Sequence, residues 1–451
     1  MLSELFPFQR EDVEKLINHR GGLIANEMGT GKTYEGIARD LIIRENNTEW
    51  PHLRTLIIAP TTVLASWEEH LEELTTLKYV RVDPKNRKGS FVEFVQSEAD
   101  VFLVHWEALR LMPELLDIYW VHVIADECHR AKNRKAQQTR ALKKVKGAFK
   151  TAMSGTPVVN RPDELWSVLN WLYPQDYKAF WTFYRTYVDY EIGYPHGYHI
   201  VKGPKNVAQL QAKIEPFTTR RLKEDVLPEL PDKYYTNIWV ELDPKQRRAY
   251  NEMKSEMVAW IGQHEDQPLV APVVIAQLIR LQQFALAYAS PQGEGLMLDE
   301  PSSKLDALMQ IIDDNPEEQI VVFSQFKQIL RLLEARLHKL GVPFCALTGD
   351  VPQGERGDLV RRFQSGEDRI FIGTIAAGGV GITLTASSTV VFLDRSWSPA
   401  LNQQAEDRLH RIGQKDAVQV IDIMARNTVD LGRKQKLALK WSWIRELLGD
   451  T

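Results

Sequence analysis

Residues Gln404–Gln414 read QAEDRLHRIGQ, with Arg408 and Arg411 three positions apart. A helix is expected to begin near Ala400, and residues three apart share a helix face. Both guanidinium groups could then point at one anion. Far upstream, Gly29–Thr33 read GTGKT, a loop type that cradles phosphate. Two anion-binding elements so far apart in one chain suggest a nucleotide gripped from two sides. That is the anatomy of a two-lobed motor rather than of a simple nucleotide-binding enzyme.

Outward from GTGKT, the loop ANEMGTGKT follows an expected strand, Gly22–Ala25, and opens an expected helix, which is the context a phosphate-binding loop needs. Gly29 and Gly31 let backbone N–H groups approach phosphate oxygens, with Thr30 between them. The positive end of the helix adds to the attraction. Lys32 is the candidate for the β- and γ-phosphates and Thr33 for Mg²⁺. The strict pattern wants glycine where Asn26 stands, so the match is partial. Asp126 and Glu127 end the apolar run VHVIA. Asp126 suits a water-mediated hold on Mg²⁺, and Glu127 suits orienting or deprotonating an attacking water. A pair of surface carboxylates would be the plainer reading of this dipeptide alone. The upstream phosphate loop in the same block decides against it.

Strand-like β-branched runs alternate with helical patterns in two blocks, which predicts an α/β fold with parallel sheets. The first block has candidate strands at Gly22–Ala25, Thr55–Ala59, Val101–His105, Val121–Ala125 and Thr151–Ser154. In the second they fall at Gln319–Phe323, Phe344–Leu347, Ile370–Gly373, Thr389–Leu393 and Val418–Ile423. Ligands bind such sheets at the carboxyl ends of their strands. Glu164–Tyr190 reads as an aromatic-rich helical insertion whose rings form a local core, followed by an irregular exposed loop, IGYPHGYHIVKGP. Pro244–Tyr288 is a second helical stretch.

Composition bounds the rest. A chain of 451 residues is long for one core, and 44% apolar with 26% charged residues is ordinary for a water-soluble globular protein. No apolar run approaches the ~20 residues a bilayer span needs, so no membrane partner is expected. The first residues lack a basic start followed by an apolar core, so no signal peptide is expected. Cys128 and Cys345 cannot build a disulfide framework or a zinc site by themselves, and a reduced intracellular setting follows. The net charge of −4 argues against a generally basic coat, yet nine basic residues and no acidic one lie between Arg130 and Lys150. A solvated helix face is the plain reading of such a run. Its place just after Asp126–Glu127 favours a position near a DNA backbone.

Taken in order, these segments resemble the Swi/Snf-type ATPases of helicase superfamily two. FPFQREDV, ANEMGTGKT, APTTVLASW, ADECHRAKN and SGTPVVNRPDELWSVLNWLYP are similar to the motifs of that family's first lobe. RRLKEDVLPELPDK is similar to its basic segment before the second lobe. IVVFSQF, LTGDV, IGTIAAGGVGITLTAS, DRSWSPA and QAEDRLHRIGQ resemble those of the second. The resemblance implies two RecA-like lobes, expected at residues 1–235 and 236–451, with helical insertions near 160–220 and 244–300. It implies ATP and Mg²⁺ as cofactors and double-stranded DNA as partner, forked or branched DNA among the candidates. By the same carry-over Gln9 reads adenine, while Gly379 and Gln404 lie beside the nucleotide with Arg408 and Arg411. Ser154 and Thr156 couple nucleotide state to DNA grip. Thr61, Lys132, Asn133, Gln325, Thr374 and Gly378 are the DNA contacts assigned from motif position. Asn26 stands where the family usually has aspartate, and Trp106 replaces a smaller or tyrosyl residue. The implied activity is a DNA-stimulated, ATP-hydrolysing translocase acting in the cytoplasm, with the nucleoid or a virus, or in a nucleus if the host is eukaryotic. A strand-separating DNA or RNA helicase and an ATP-gated DNA-binding scaffold are the rival readings.

Overall fold

The computed structural model describes residues 4–50, 52–193, 197–263, 270–292, 295–378 and 382–450. They form two compact units. The first comprises Met1–Glu191, His199–Pro228 and Lys440–Thr451, and the second Ile192–Tyr198 and Glu229–Leu439.

The first unit is built on a seven-stranded sheet. Its spatial order is Tyr79–Arg81, Val101–His105, Thr55–Ala59, Tyr119–Asp126, Lys146–Met153, Gly21–Ile24 and Thr218–Thr219. Every pairing is parallel. Gly21–Ile24, Thr55–Ala59 and Val101–His105 are buried at every position, as parallel strands covered on both faces must be. Alternate residues feed two cores. Leu56, Ile58, Phe102 and Val104 face one; Ile57, Ala59, Val101 and Leu103 face the other. Ile444 and Leu447, near the chain's end, join the first of these cores.

The helix Lys32–Glu45 is tied to this sheet by a buried polar network. Asp40 accepts from Thr55 Oγ1 at 2.7 Å and Arg44 Nε at 2.7 Å, and lies 2.8 Å from His122 Nδ1. Arg39 donates to Thr151 Oγ1 at 2.7 Å. Burial opposes ionisation of Asp40, but Arg44 and His122 outweigh it and hold its carboxyl below the usual range. A helix pinned in this way cannot slide along its strands, so the loop preceding it is fixed.

The second unit holds a six-stranded sheet in the order Lys233–Val240, Val418–Ala425, Thr389–Phe392, Ile320–Ser324, Ile370–Thr374 and Phe344–Leu347. It too is parallel throughout. The helices Pro244–Gln263 and Val270–Leu286 make up its helical insertion. The α/β class, the two parallel sheets and the helical insertions agree with the sequence reading, and every strand expected there is present within a few residues.

Other expectations change. Lys233–Val240 is a full edge strand that the sequence reading left out; its positions are mostly exposed, so it lacks the apolar run by which buried strands are recognised. Within IGYPHGYHIVKGP, expected to be an irregular loop, the described residues fall largely in a two-stranded sheet of Val188–Gly193 and Tyr198–Pro204, while Tyr194, Pro195 and His196 lie outside the described residues. The basic run from Arg130 to Lys150 is no single helix face. It passes through a 3₁₀ turn, the short helix Gln137–Leu142 and the start of the strand Lys146–Met153. Of the insertion's aromatics, Trp166, Trp171, Phe183 and Tyr184 are buried, while Trp181 is 52% exposed.

Candidate nucleotide site and arginine turn

Three neighbouring strands of the first sheet end together, because Ile24 and Asp126 both pair with Met153. That register sets the loop after Ile24, the Asp126–Glu127 pair and Ser154 at one carboxyl edge. The loop itself is shaped by two glycines in left-handed backbone, Gly29 at φ +83° and Gly31 at φ +82°. A side chain at Gly31 would strain that backbone and meet Gln9 Nε2 at 2.5 Å. Gln9 in turn donates to Thr30 O at 2.9 Å and accepts from Phe6 N at 3.0 Å. It is thereby held against the loop. Thr33 lies in the first turn of the helix that follows.

Lys32 donates its amine to Glu27 O at 2.9 Å. Burial lowers its pKa, with Glu127, Asp126 and Glu35 pulling the other way. A desolvated cation facing carboxylates has an electrostatic deficit that an incoming polyphosphate with its cation would fill. Asp126 is fixed by three donors that no local pattern announces. Trp67 Nε1 reaches Oδ2 at 3.0 Å, the Glu127 amide reaches Oδ1 at 2.8 Å, and Trp106 Nε1 reaches the backbone oxygen at 2.9 Å. Burial, and next the charge of Glu127, raise its pKa to about 6. A bound divalent cation would reverse that balance.

Glu127 is held in left-handed backbone at φ +51°, a conformation rare outside glycine and asparagine and often found at functional sites. Its Oε2 accepts from Ser154 Oγ at 3.3 Å and lies 3.1 Å from His129 Nδ1. Ser154 Oγ also accepts from Thr156 N at 3.2 Å. The two residues expected to couple nucleotide state to DNA grip are therefore linked to the carboxylate expected to handle water. The sequence reading missed Trp67, Trp106 and His129 as supports of this site. Their partners are up to 59 residues away, and no spacing rule reaches that far.

Asn26, the departure from the phosphate-loop pattern, clamps two acids. Its Nδ2 donates to Asp12 Oδ2 at 2.7 Å and to both oxygens of Glu35 at 3.0 Å. Arg221 pairs with Asp12 at 2.8 Å, whereas burial and Asp12 push Glu35 up to about 8. Asn26→Asp would replace a side-chain donor shared by these acids with a third carboxyl. We expect a loss of about 1–3 kcal/mol of stability, read as a lower Tm, with Glu35→Gln in the same chain restoring it. An unchanged Tm would show that the clamp is unimportant.

In the second unit the expected helix ends early. It runs Pro399–Glu406, so Arg408 and Arg411 do not share a helix face. They lie in the turns that follow. The reason is the pull on neighbouring side chains. Lys233 holds Glu406 at 3.1 Å and Asp407 at 3.4 Å, while Arg395 holds Glu406 and Asp422 at 2.5 Å each. Burial works against the charge on Lys233, but Asp407 and Glu406 outweigh it and raise its pKa. Leu409, fully buried in the core that also holds Phe323 and Phe392, anchors the turn. The two arginines still converge, because each places Nη1 near Ile382 O, Arg408 at 3.5 Å and Arg411 at 3.4 Å. Gln404 is buried in the preceding helix, and its carbonyl accepts from Arg408 Nε at 3.1 Å.

The expected DNA contacts divide. Lys132 and Asn133 line an open cleft of about 490 Å³ in the first unit, and Thr61 follows the strand Thr55–Ala59 at a carboxyl end. Gln325 is turned inward, donating to Asp394 Oδ2 at 3.1 Å and Arg395 O at 2.9 Å. Thr374 is 6% exposed, with its hydroxyl accepting from Ala377 N. Neither side chain is presented to a ligand as it stands. Gly378 ends the short helix Ile375–Gly378, and Gly379 lies outside the described residues. No group of three or more His, Cys, Asp or Glu able to hold a metal occurs among the described residues, nor does any helix long and apolar enough to cross a membrane.

The chain is 30% identical to an uncharacterised ATP-dependent helicase of Mycoplasma pneumoniae, over 95% of this chain and 41% of that protein. It is 27% identical to the transcription regulatory protein SNF2 of Saccharomyces cerevisiae, over 92% of this chain and 26% of that protein. It spans less than half the length of the curated relatives it matches. Among solved structures it matches a Sulfolobus solfataricus SWI2/SNF2 ATPase core in complex with double-stranded DNA. That match has 26% identity and a TM-score of 0.46 over 99% of this chain and 93% of that one. Residues 303–413 match the helicase conserved C-terminal domain. The SNF2-related domain matches residues 10–285, well over half of the chain, and the protein belongs to that family.

Proposed function

We propose that the chain is an ATP-hydrolysing motor that moves along double-stranded DNA and remodels DNA or protein–DNA complexes. The observation that carries this is the single carboxyl edge of the first sheet, which holds a glycine-shaped phosphate loop, a desolvated Lys32 and a strained Glu127 together. In this reading Gln9 contacts adenine, the loop amides and Lys32 take the β- and γ-phosphates, and Glu127 accepts a proton from the attacking water. The hydroxyl of Thr33 and the carboxylate of Asp126 are hard oxygen donors, the chemistry Mg²⁺ prefers. They would hold it, with water completing its shell, and it would neutralise phosphate charge. Arg408 and Arg411 would stabilise charge on the transferring phosphoryl group. Ser154, bonded to Glu127, would pass the nucleotide state on to the DNA-binding loops. A ligand with different affinity for two conformations shifts the balance between them, and alternating grip then yields steps.

The test is the ATPase rate with single-stranded, duplex and forked DNA and with RNA. Duplex DNA is expected to stimulate most; no stimulation by duplex at low salt would sink the reading. Contacts confined to phosphates also predict a linear fall of log affinity with log salt. About four neutralised phosphates correspond to roughly a 100-fold loss between about 50 and 200 mM. A flat salt response would mean that the phosphates are not what is held.

Strand separation is the second reading, favoured by one observation: the two-stranded sheet of Val188–Gly193 and Tyr198–Pro204 exposes Ile192 and Tyr198 by 68% and 56%. Such apolar side chains could wedge between base pairs. Unwinding of a forked duplex without displacement of a triplex strand would decide for this reading; the reverse would decide for translocation.

A further inference from the structure

We propose that the cleft beside Lys132 in the first unit takes one unpaired nucleotide of a DNA strand, so that the motor senses bulged or gapped duplex. This rests on the DNA-motor reading above and specifies its substrate.

The cleft, about 490 Å³, joins cations to aromatic rings. Lys132, Arg134, Lys135 and Arg161 line it, against two carboxylates, Asp163 and Glu164. Both carboxylates are already engaged. Glu164 Oε2 accepts from the amides of Val159 and Asn160 at 2.9 Å each, and Asp163 holds Arg161 Nε at 2.8 Å. The cleft therefore keeps a surplus of positive charge at its mouth. A phosphate diester meets that surplus without leaving an acid unpaired.

The rings argue for a base beside that phosphate. The guanidinium of Arg134 lies 4.1 Å from the centre of the Phe180 ring, and no acidic partner of Arg134 occurs among the described residues. That cation lies over the phenyl ring and stays partly exposed, so part of it is left to meet a base. Unstacked bases are held on such guanidinium planes as well as on aromatic rings. Trp181 stands edge to face with Phe180, 5.2 Å centre to centre, and is half exposed, a further ring near the cleft. Trp166 supplies an independent sign. It lines the cleft, is only 7% exposed, and its buried Nε1 has no hydrogen-bond acceptor among the described residues. A buried donor without an acceptor is costly, so a small rotation of the ring toward an oxygen that enters the cleft would be favoured. A paired base cannot reach such a cleft, because its faces are stacked and its edge is used. An unpaired one can.

The experiment measures binding of the full chain to two labelled duplexes, identical except for a one-nucleotide bulge carrying 2-aminopurine. The wild type is expected to bind the bulged duplex about 10-fold more tightly, with quenching of the 2-aminopurine. The double variant Arg134→Ala, Arg161→Ala is expected to bring that ratio near one and abolish the quenching, with ATPase activity in the absence of DNA unchanged. A wild-type ratio near one, or a ratio that survives in the double variant, overturns the proposal. Competition by poly-glutamate as strong as that of the bulged strand overturns it in favour of acidic peptides. Equal competition by free AMP overturns it in favour of a mononucleotide. A wild type that binds neither duplex sinks the motor reading itself, whereas equal binding of both sinks only the cleft.

Discussion

Arg411→Ala is expected to cut the ATPase rate by about 10³–10⁵-fold while nucleotide binding stays within a few fold of wild type. Arg411 is largely withdrawn from water. Its pKa is lowered by that burial, with Asp407 opposing. Its hydrogen bond to Ile382 O is long at 3.4 Å, and a guanidinium has five donors. Such a group is poised for an anion that arrives, and its value is largest where charge builds up in a transition state. ATP affinity should depend mainly on the loop amides and Lys32, which belong to the other compact unit. The two effects separate in one preparation: fluorescent nucleotide titration for binding, and phosphate release for turnover. If affinity fell by the same factor as turnover, Arg411 would be a ground-state ligand and its assigned role would be wrong. Lys233→Ala offers a check on the support beneath it. Loss of the cation bridging Glu406 and Asp407 should loosen the turn and lower kcat with little change in KM for ATP.

Glu127→Gln is the second variant with a large expected effect, a fall in kcat of about 10²–10⁴-fold, the range a positioned general base contributes. Glutamine keeps the volume and can still accept from Ser154, which bonds Glu127 Oε2 at 3.3 Å, so the loop geometry should survive. The basic carboxylate does not. Nucleotide and DNA should then remain bound together, giving a stalled complex measurable as DNA affinity in the presence of ATP. Unchanged turnover would remove Glu127 from the chemistry. Unchanged DNA processing despite lost hydrolysis would favour the ATP-gated scaffold instead.

The legible parts of this protein were those in which neighbours along the chain share one requirement. GTGKT could be read because two glycines, a lysine and a threonine act within a single turn. VHVIADE could be read because a buried strand must be apolar until it reaches its functional edge. The arginine turn was only half legible. Its arginines could be singled out, but the geometry assigned to them assumed a helix that continues, and helix length depends on what its side chains meet. Glu406 and Asp407 are drawn to Lys233, more than 170 residues earlier, and no periodicity within QAEDRLHRIGQ encodes that. The internal bonds of Gln325 and Thr374 were illegible for the same reason, since strand-end position does not say which way a side chain bonds.

By itself the sequence determined the α/β class, the two parallel sheets and the glycines that shape the loop after Ile24. Each of these follows from side-chain type repeated at short range: apolar runs for strands buried on both faces, glycine where the backbone must turn left-handed. Only the tertiary structure decided that Trp67 holds Asp126, that Asn26 clamps Asp12 and Glu35, and that Arg408 and Arg411 meet near Ile382 from a turn. It also decided that Arg134 lies on Phe180 beside a buried, unsatisfied Trp166. These are pairings between distant residues whose energy comes from shared burial, where a hydrogen bond or charge must be matched because water is excluded. Local sequence carries the groups; only the folded chain supplies the desolvation that makes their pairing matter.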